Sequence, residues 1–203
     1  MNWHELLFDF VTLLVTVDPG GTTAVFLALT KDMTPEARRR TAFRAVSIAF
    51  LLLAGVLYLG QYLLEIMRIE LPSFQISGGI VLFVFALMMI FDKGLPRSDA
   101  VDASHDVAIF PLAMPSIAGP GTMLAVVVLT ENNTRNLAQQ TITCGVLALV
   151  LSGTLIFMLL GERFMALVGR AGANVLTRVM GMILAAVAVQ MVYAAIKGQI
   201  GTG

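Results

Sequence analysis

Long apolar runs, broken only by short polar turns, leave this chain very few folds. They extend over about Glu5 to Thr30, Phe43 to Leu64, Phe74 to Phe91, Val107 to Thr130, Thr141 to Leu160 and Val179 to Ile196. Such runs are too long and too uninterrupted for soluble-core strands. Roughly 30 Å of hydrocarbon is crossed at about 1.5 Å per residue, so each run is long enough to span a bilayer as a helix. Charged residues make up only 13% of the chain, roughly half the share in soluble domains. The reading is an all-α polytopic membrane protein whose 203 residues hold six transmembrane segments and little else. Acidic and basic residues balance at 13 each, so bulk charge points to no nucleic-acid partner. The one cysteine, Cys144, lies in an apolar run and gives neither a disulfide nor a metal cluster. Met1-Asn2-Trp3-His4-Glu5 has no basic n-region and no cleavage site, so the first run is expected to stay as a span.

Two of the runs contain residues that a spanning helix avoids. The first holds Val17-Asp18-Pro19-Gly20-Gly21-Thr22-Thr23, and the fourth holds Ser116-Ile117-Ala118-Gly119-Pro120-Gly121-Thr122 with Pro111 and Pro115 upstream. Proline removes a backbone donor and clashes with the preceding turn, and glycine makes unusual dihedrals cheap. The first and fourth helices are therefore expected to be broken at mid-membrane. Between the runs, Thr34-Pro35-Glu36 reads as a helix start, giving a short amphipathic helix inside a loop from Lys31 to Arg44. Glu65 to Pro72 reads as a turn, Glu131 to Arg135 as another, and Gly161 to Thr177 as a loop.

The breaks recur at one spacing. Gly21-Thr22 followed by Leu29-Thr30 matches Gly121-Thr122 followed by Leu129-Thr130, and Gly79 to Leu82 pairs with Gly181 to Leu184 two residues further on. This divides the chain into a first three-span repeat, 1-94, a polar linker, 95-106, and a second repeat, 107-203. An odd number of spans per repeat inverts the second half, a pattern of secondary transporters with a midplane site. Lys and Arg concentrate after the first, third and fifth spans, which puts those loops and the linker in the cytoplasm and both termini outside it.

Helix halves that start at the breaks offer backbone amides from Gly20, Gly21, Thr22 and Thr23, and from Gly119, Gly121, Thr122 and Met123. These are suited to an anion or a carboxylate. Threonine hydroxyls can add to the ligand set or cap the new half-helix. Asp18 is an intramembrane acid and so a candidate functional group; it can receive a substrate ammonium, carry a coupled proton, or cap the second half-helix. The corresponding position in the fourth span is Ala118 or Gly119, so the acid has no twin. Asp9 reads as solvated at the outer interface in preference to a gate role, Gln75 and Gln190 as interhelical hydrogen-bonding residues ahead of substrate contact, and Arg44, Glu162 and Arg163 as interface charges. The 12 methionines show no cofactor spacing, and His4 and His105 lie outside the spans. No nucleophile, base and acid set and no phosphate loop is visible. The chain reads as a non-enzyme with no catalytic residue, no cofactor and no metal.

Asp18-Pro19-Gly20 with Phe26 to Thr30, Ile76-Ser77-Gly78-Gly79-Ile80, Pro111-Leu112-Ala113-Met114-Pro115 with Ala118 to Gly121, and Ile183 to Met191 together resemble the MarC family of integral membrane proteins, which includes the SnatA neutral amino acid transporters. The resemblance covers nearly the whole chain. It implies an inner-membrane fold of six spans in two inverted repeats and secondary transport of small neutral amino acids such as glycine and alanine. The family also has asparagine at the position of Asp18. Coupling to a proton or to sodium, and assembly into a homo-oligomer, are left open by the resemblance. A small-solute channel using the breaks as a filter and a non-transporting accessory protein are the alternative readings.

Overall fold

Within a bilayer, every backbone polar group must be satisfied inside its own segment, which favours helix throughout. The computed structural model describes residues 2-91, 106-130 and 135-200, and these form helices without a strand among them. They are α1 (Trp3–Val17), α2 (Pro19–Leu29), α3 (Pro35–Ile66), α4 (Leu71–Ile90), a π-type segment (Ala108–Ile117), α5 (Pro120–Leu129), α6 (Leu137–Leu159) and α7 (Gly161–Ile200). Five stretches are long and apolar enough to span: Trp3–Leu29, Pro35–Ile66, Pro72–Ile90, Leu137–Leu159 and Arg178–Lys197. The π segment and α5, bent by 54°, bring the number to 6 when taken as one span. The protein is thus a multi-pass integral membrane protein.

Helix starts follow the local chemistry. Proline stands in the first turn of α2, α3, α4 and α5, where its missing amide costs nothing. The Thr34 side chain accepts from the Ala37 amide at 3.3 Å. Asn136 and Gln139 cap α6 reciprocally, amide to side chain, at 2.9 and 3.0 Å. Three expectations change at this level. The short helix after Thr34 is continuous with the second span, making α3 a single 32-residue helix, because nothing between Pro35 and Ile66 breaks it. Residues 161-177, read as a loop, begin the 40-residue α7; they hold glycines but no proline. Pro72 lies inside α4, and the turn before it is made at Arg68, whose φ is 54°. The linker 95-105 and the turn residues 131-134 lie outside the described residues.

Two apolar clusters hold the helices together. The larger joins Leu13, Val17, Phe26, Leu53, Leu112, Ile117 and Leu147 from both halves of the chain. The smaller is built largely from the α4–α7 contact and repeats itself: Leu82, Ala86 and Met89 on α4 face Leu184, Ala188 and Met191 on α7, each pair separated by the same number of residues. Close approach depends on glycine. A methyl group at Gly79 would lie 3.0 Å from the Ala188 carbonyl and 2.5 Å from Val192, and one at Gly181 would lie 3.1 Å from the Ala86 carbonyl and 3.0 Å from Ile90. The contact is reciprocal, as across a twofold axis, and moving along α4 from Gly79 to Ala86 moves backwards along α7 from Ala188 to Gly181. The two helices therefore pass antiparallel. Gly181→Ala is expected to destabilise by about 1–3 kcal/mol through overpacking, read as a lower unfolding temperature in detergent; an unchanged midpoint would show that the helices can separate freely there.

The ends of α2 and α5 repeat as well. Thr30 and Thr130 return their hydroxyls to the carbonyls of Phe26 and Val126, each at 2.7 Å. The Thr30 carbonyl receives Arg38 Nη2 at 3.1 Å, and the Thr130 carbonyl receives Gln140 Nε2 at 3.1 Å.

Candidate functional site at the paired helix ends

Proline at position 19 denies the Val15 carbonyl the amide it would meet one turn on, so α1 must end there. Asp18 makes the turn. Its backbone is left-handed, with φ 44° and ψ 75°, a region that aspartate enters more readily than most residues because its side chain bonds locally. Its amide bonds the Leu14 carbonyl at 3.1 Å, closing α1. Its carboxylate Oδ1 accepts the Gly21 amide at 3.1 Å and its carbonyl accepts the Thr22 amide at 2.9 Å, opening α2. One residue caps both helices.

The second interruption is built differently. Phe110 and Met114 are extended, with φ and ψ near those of a strand (−130°, 127° and −138°, 124°), because each precedes a proline and proline pushes its predecessor out of the helical region. The Met114-Pro115 peptide is cis. Gly119, before Pro120, is extended too, and α5 then begins without a side-chain cap. A methyl group at Gly119 would lie 2.7 Å from the Pro115 carbonyl. The loop folds back that tightly.

Thr122 brings the two interruptions together. Its hydroxyl, on a side chain 1% exposed, donates to the Thr16 carbonyl near the end of α1 at 3.1 Å. The hydroxyls of Thr22 and Thr23 donate to the carbonyls of Val17 at 3.0 Å and Pro19 at 2.6 Å. Thr122 and Thr22 thus satisfy carbonyls that the end of α1 would leave orphaned, and Thr23 bonds back within α2. Thr22, Thr23, Thr122 and Gly121 are buried, while Asp18, Gly20, Gly21, Gly119 and Met123 are partly buried. Of the nine residues expected from the sequence, Thr122 is the one tied directly to the other interruption, and their amides are not equally available. Gly21 and Thr22 are engaged by Asp18, Gly20 also faces its carboxylate, and the Met123 amide bonds the Gly119 carbonyl at 3.0 Å. The uncapped start is that of α5, at Gly121 and Thr122. Thr122→Val, which removes the bridging hydroxyl and leaves the shape, is expected to cost about 1 kcal/mol, measurable as a lower unfolding midpoint in detergent.

Asp9, expected to be solvated, is instead fully buried and paired. Arg135 Nη1 and Nη2 lie 2.5 and 2.8 Å from its two oxygens, and the Thr143 hydroxyl donates to it at 2.8 Å. Arg44, expected as an interface charge, pairs with Asp106 at 2.6 Å and stays half-exposed. Gln190 is exposed and Gln75 partly buried; among the described residues the buried glutamines are Gln61, bonded to the Val127 carbonyl at 3.4 Å, and Gln140. An open groove of about 370 Å³ between α4 and α7 is lined by apolar residues such as Phe83, Val189 and Ile196. No residue of the two interruptions lines it.

The sequence pattern of MarC family integral membrane proteins matches residues 3–200. The chain belongs to the MarC family. The chain is 34% identical to the UPF0056 inner membrane protein YhgN of Escherichia coli (strain K12) over 188 residues, which are 93% of this chain and 94% of that protein. It is 30% identical over 205 residues to the UPF0056 membrane protein YvbG of Bacillus subtilis, covering 98% and 97%. An Archaeoglobus fulgidus UPF0056 membrane protein is 32% identical over 192 residues, covering 91% and 89%. No solved structure matches. The match covers the whole region that carries both interruptions.

Proposed function

We propose that this protein is a secondary transporter of small neutral amino acids, such as glycine and alanine, with the substrate held between the end of α1 and the start of α5 at mid-membrane. The observation that carries this reading is the Thr122 hydroxyl on the Thr16 carbonyl, which joins two helix ends of opposite polarity in the buried interior. The start of α5, with no side-chain cap, suits a carboxylate through the amides of Gly121 and Thr122. Asp18 and the carbonyl end of α1 suit an ammonium. Small substrates fit because glycines 20, 21, 119 and 121 bring backbone, not side chain, to the region.

The reciprocal α4–α7 contact and the matching ends of α2 and α5 support an inverted repeat of residues 1-94 and 107-203, and with it alternating access. Basic residues support a bacterial inner-membrane orientation with both termini outside the cytoplasm. The coupling ion in this reading is a proton or sodium, with Asp18 as the proton-coupling candidate.

Glycine and alanine flux into proteoliposomes, with and without a proton gradient, tests the reading. Wild-type protein is expected to give saturable flux; none for any small amino acid would overturn it. Asp18→Asn keeps the cap but not the charge, and is expected to keep flux while losing its dependence on the proton gradient. Unchanged dependence removes Asp18 from coupling. Linear, non-saturating flux would favour a channel.

A further inference from the structure

A buried ion pair is expensive to open, because separation leaves two charges without partners. Asp9 is 0% exposed, and Arg135 grips it with both terminal nitrogens at 2.5 and 2.8 Å. The Thr143 hydroxyl completes the cluster from α6. On α1, Asp9, Thr12 and Thr16 share one face, and all are buried. The Thr16 carbonyl is the point where Thr122 attaches. Midway, the Thr12 hydroxyl is buried and has no hydrogen-bond partner among the described residues. A file of polar groups therefore leads from the Asp9 pair to the paired helix ends, in a chain whose outer surface is apolar.

The charges define what can open such a pair. A molecule with a carboxylate and an ammonium on one carbon can give the carboxylate to the Arg135 fork, a geometry guanidinium accepts in two parallel bonds. Its ammonium can go to Asp9. Both buried charges then stay paired while they move apart. A monocarboxylate serves only Arg135, and an amine only Asp9. We propose that Asp9, Arg135 and Thr143 form an access gate that binds α-amino-acid zwitterions by exchanging the internal ion pair for two pairs with the ligand, and that the Thr12 face of α1 carries the ligand inward. The substrate class rests on the transport reading above.

The charges of the buried pair are not repeated at the related positions among the described residues. Positions related to Arg135 and Thr143 by the repeat are Met33 and Thr41, which meet through a sulfur contact at 3.8 Å. The Arg44–Asp106 pair on the opposite side has side chains 50% and 36% exposed, so water can serve it when it opens.

The test uses full-length protein with Cys144→Ala and Thr12→Cys in oriented membrane vesicles, labelled by a membrane-impermeant maleimide from the face bearing Arg135. Saturating glycine is expected to raise the labelling rate several-fold, while acetate or methylamine alone leaves it unchanged. Asp9→Asn is expected to label fast without glycine and to lose the response. Asp9→Arg with Arg135→Asp, which restores the pair in reverse, is expected to recover slow labelling and the glycine response, so that a folding defect cannot imitate the result. Labelling indifferent to glycine, or equally responsive to acetate, overturns the gate. Glycine flux measured on vesicles of the unsubstituted protein separates the two readings: flux with labelling unmoved by glycine sinks the gate and leaves transport standing, whereas a glycine response without flux keeps the gate and sinks transport.

Discussion

Arg135→Ala is expected to destabilise the protein by about 3–5 kcal/mol, because it takes the cationic partner from the buried Asp9 carboxylate. Asp9 is fully buried and Arg135 is 14% exposed, so the two truncations are not equivalent. Asp9→Asn frees a guanidinium that can extend toward water, and is expected to cost about 1–2 kcal/mol. Removing both charges together should cost less than the sum of the single changes, a coupling that a double-mutant cycle reads directly. Unfolding midpoints of the four proteins in detergent are the measurement. Additive effects would mean that the pair, despite its geometry, carries no interaction energy.

Asp18→Ala is expected to cost about 2 kcal/mol, from the left-handed backbone that alanine tolerates poorly and from the lost cap on α2. Asp18→Asn should be nearly silent in stability, since asparagine enters the same backbone region and caps as well. Asp18→Gly should fall between them: it relieves the backbone at φ 44° but gives up the bond to the Gly21 amide. Thermal unfolding of the three variants gives the order Asn, Gly, Ala from most to least stable. Equal stability of Asn and Ala would show that the cap does not hold the turn. Because Asn preserves the structure and removes the charge, its flux phenotype reports charge alone.

Several features were legible because their causes are local. Pro19 with Gly20 and Gly21 denied the first run a continuous helix, and Asp18 was the capping type of residue in the position that caps. Phe110 and Met114 are extended because the next residue is proline, which needs no tertiary contact to act. Thr34 starts a helix for the same local reason. The helical lead-in of α7 is hidden in the sequence since residues 161-177 mix charge and glycine, and such composition marks a loop only when nothing longer continues it. The burial of Asp9 is hidden for a different reason. An acid near the start of a span is usually solvated, and its partner lies 126 positions away.

By itself, the sequence determined that this chain lives in a membrane, spans it about six times, turns at Asp18 and around Pro111 to Pro120, and belongs with proteins built on the same paired motifs. Hydropathy, proline and glycine act within a few residues, and that is why they can be read in order. Only the tertiary structure decided that Thr122 would close onto Thr16, that Gly79 and Gly181 would seat reciprocally on the opposite helix, and that Asp9 would be buried against Arg135 and Thr143. Each of those depends on distant segments meeting. Hydrocarbon outside the bundle offers polar groups no partner, so the polar residues of separate helices must find one another inside.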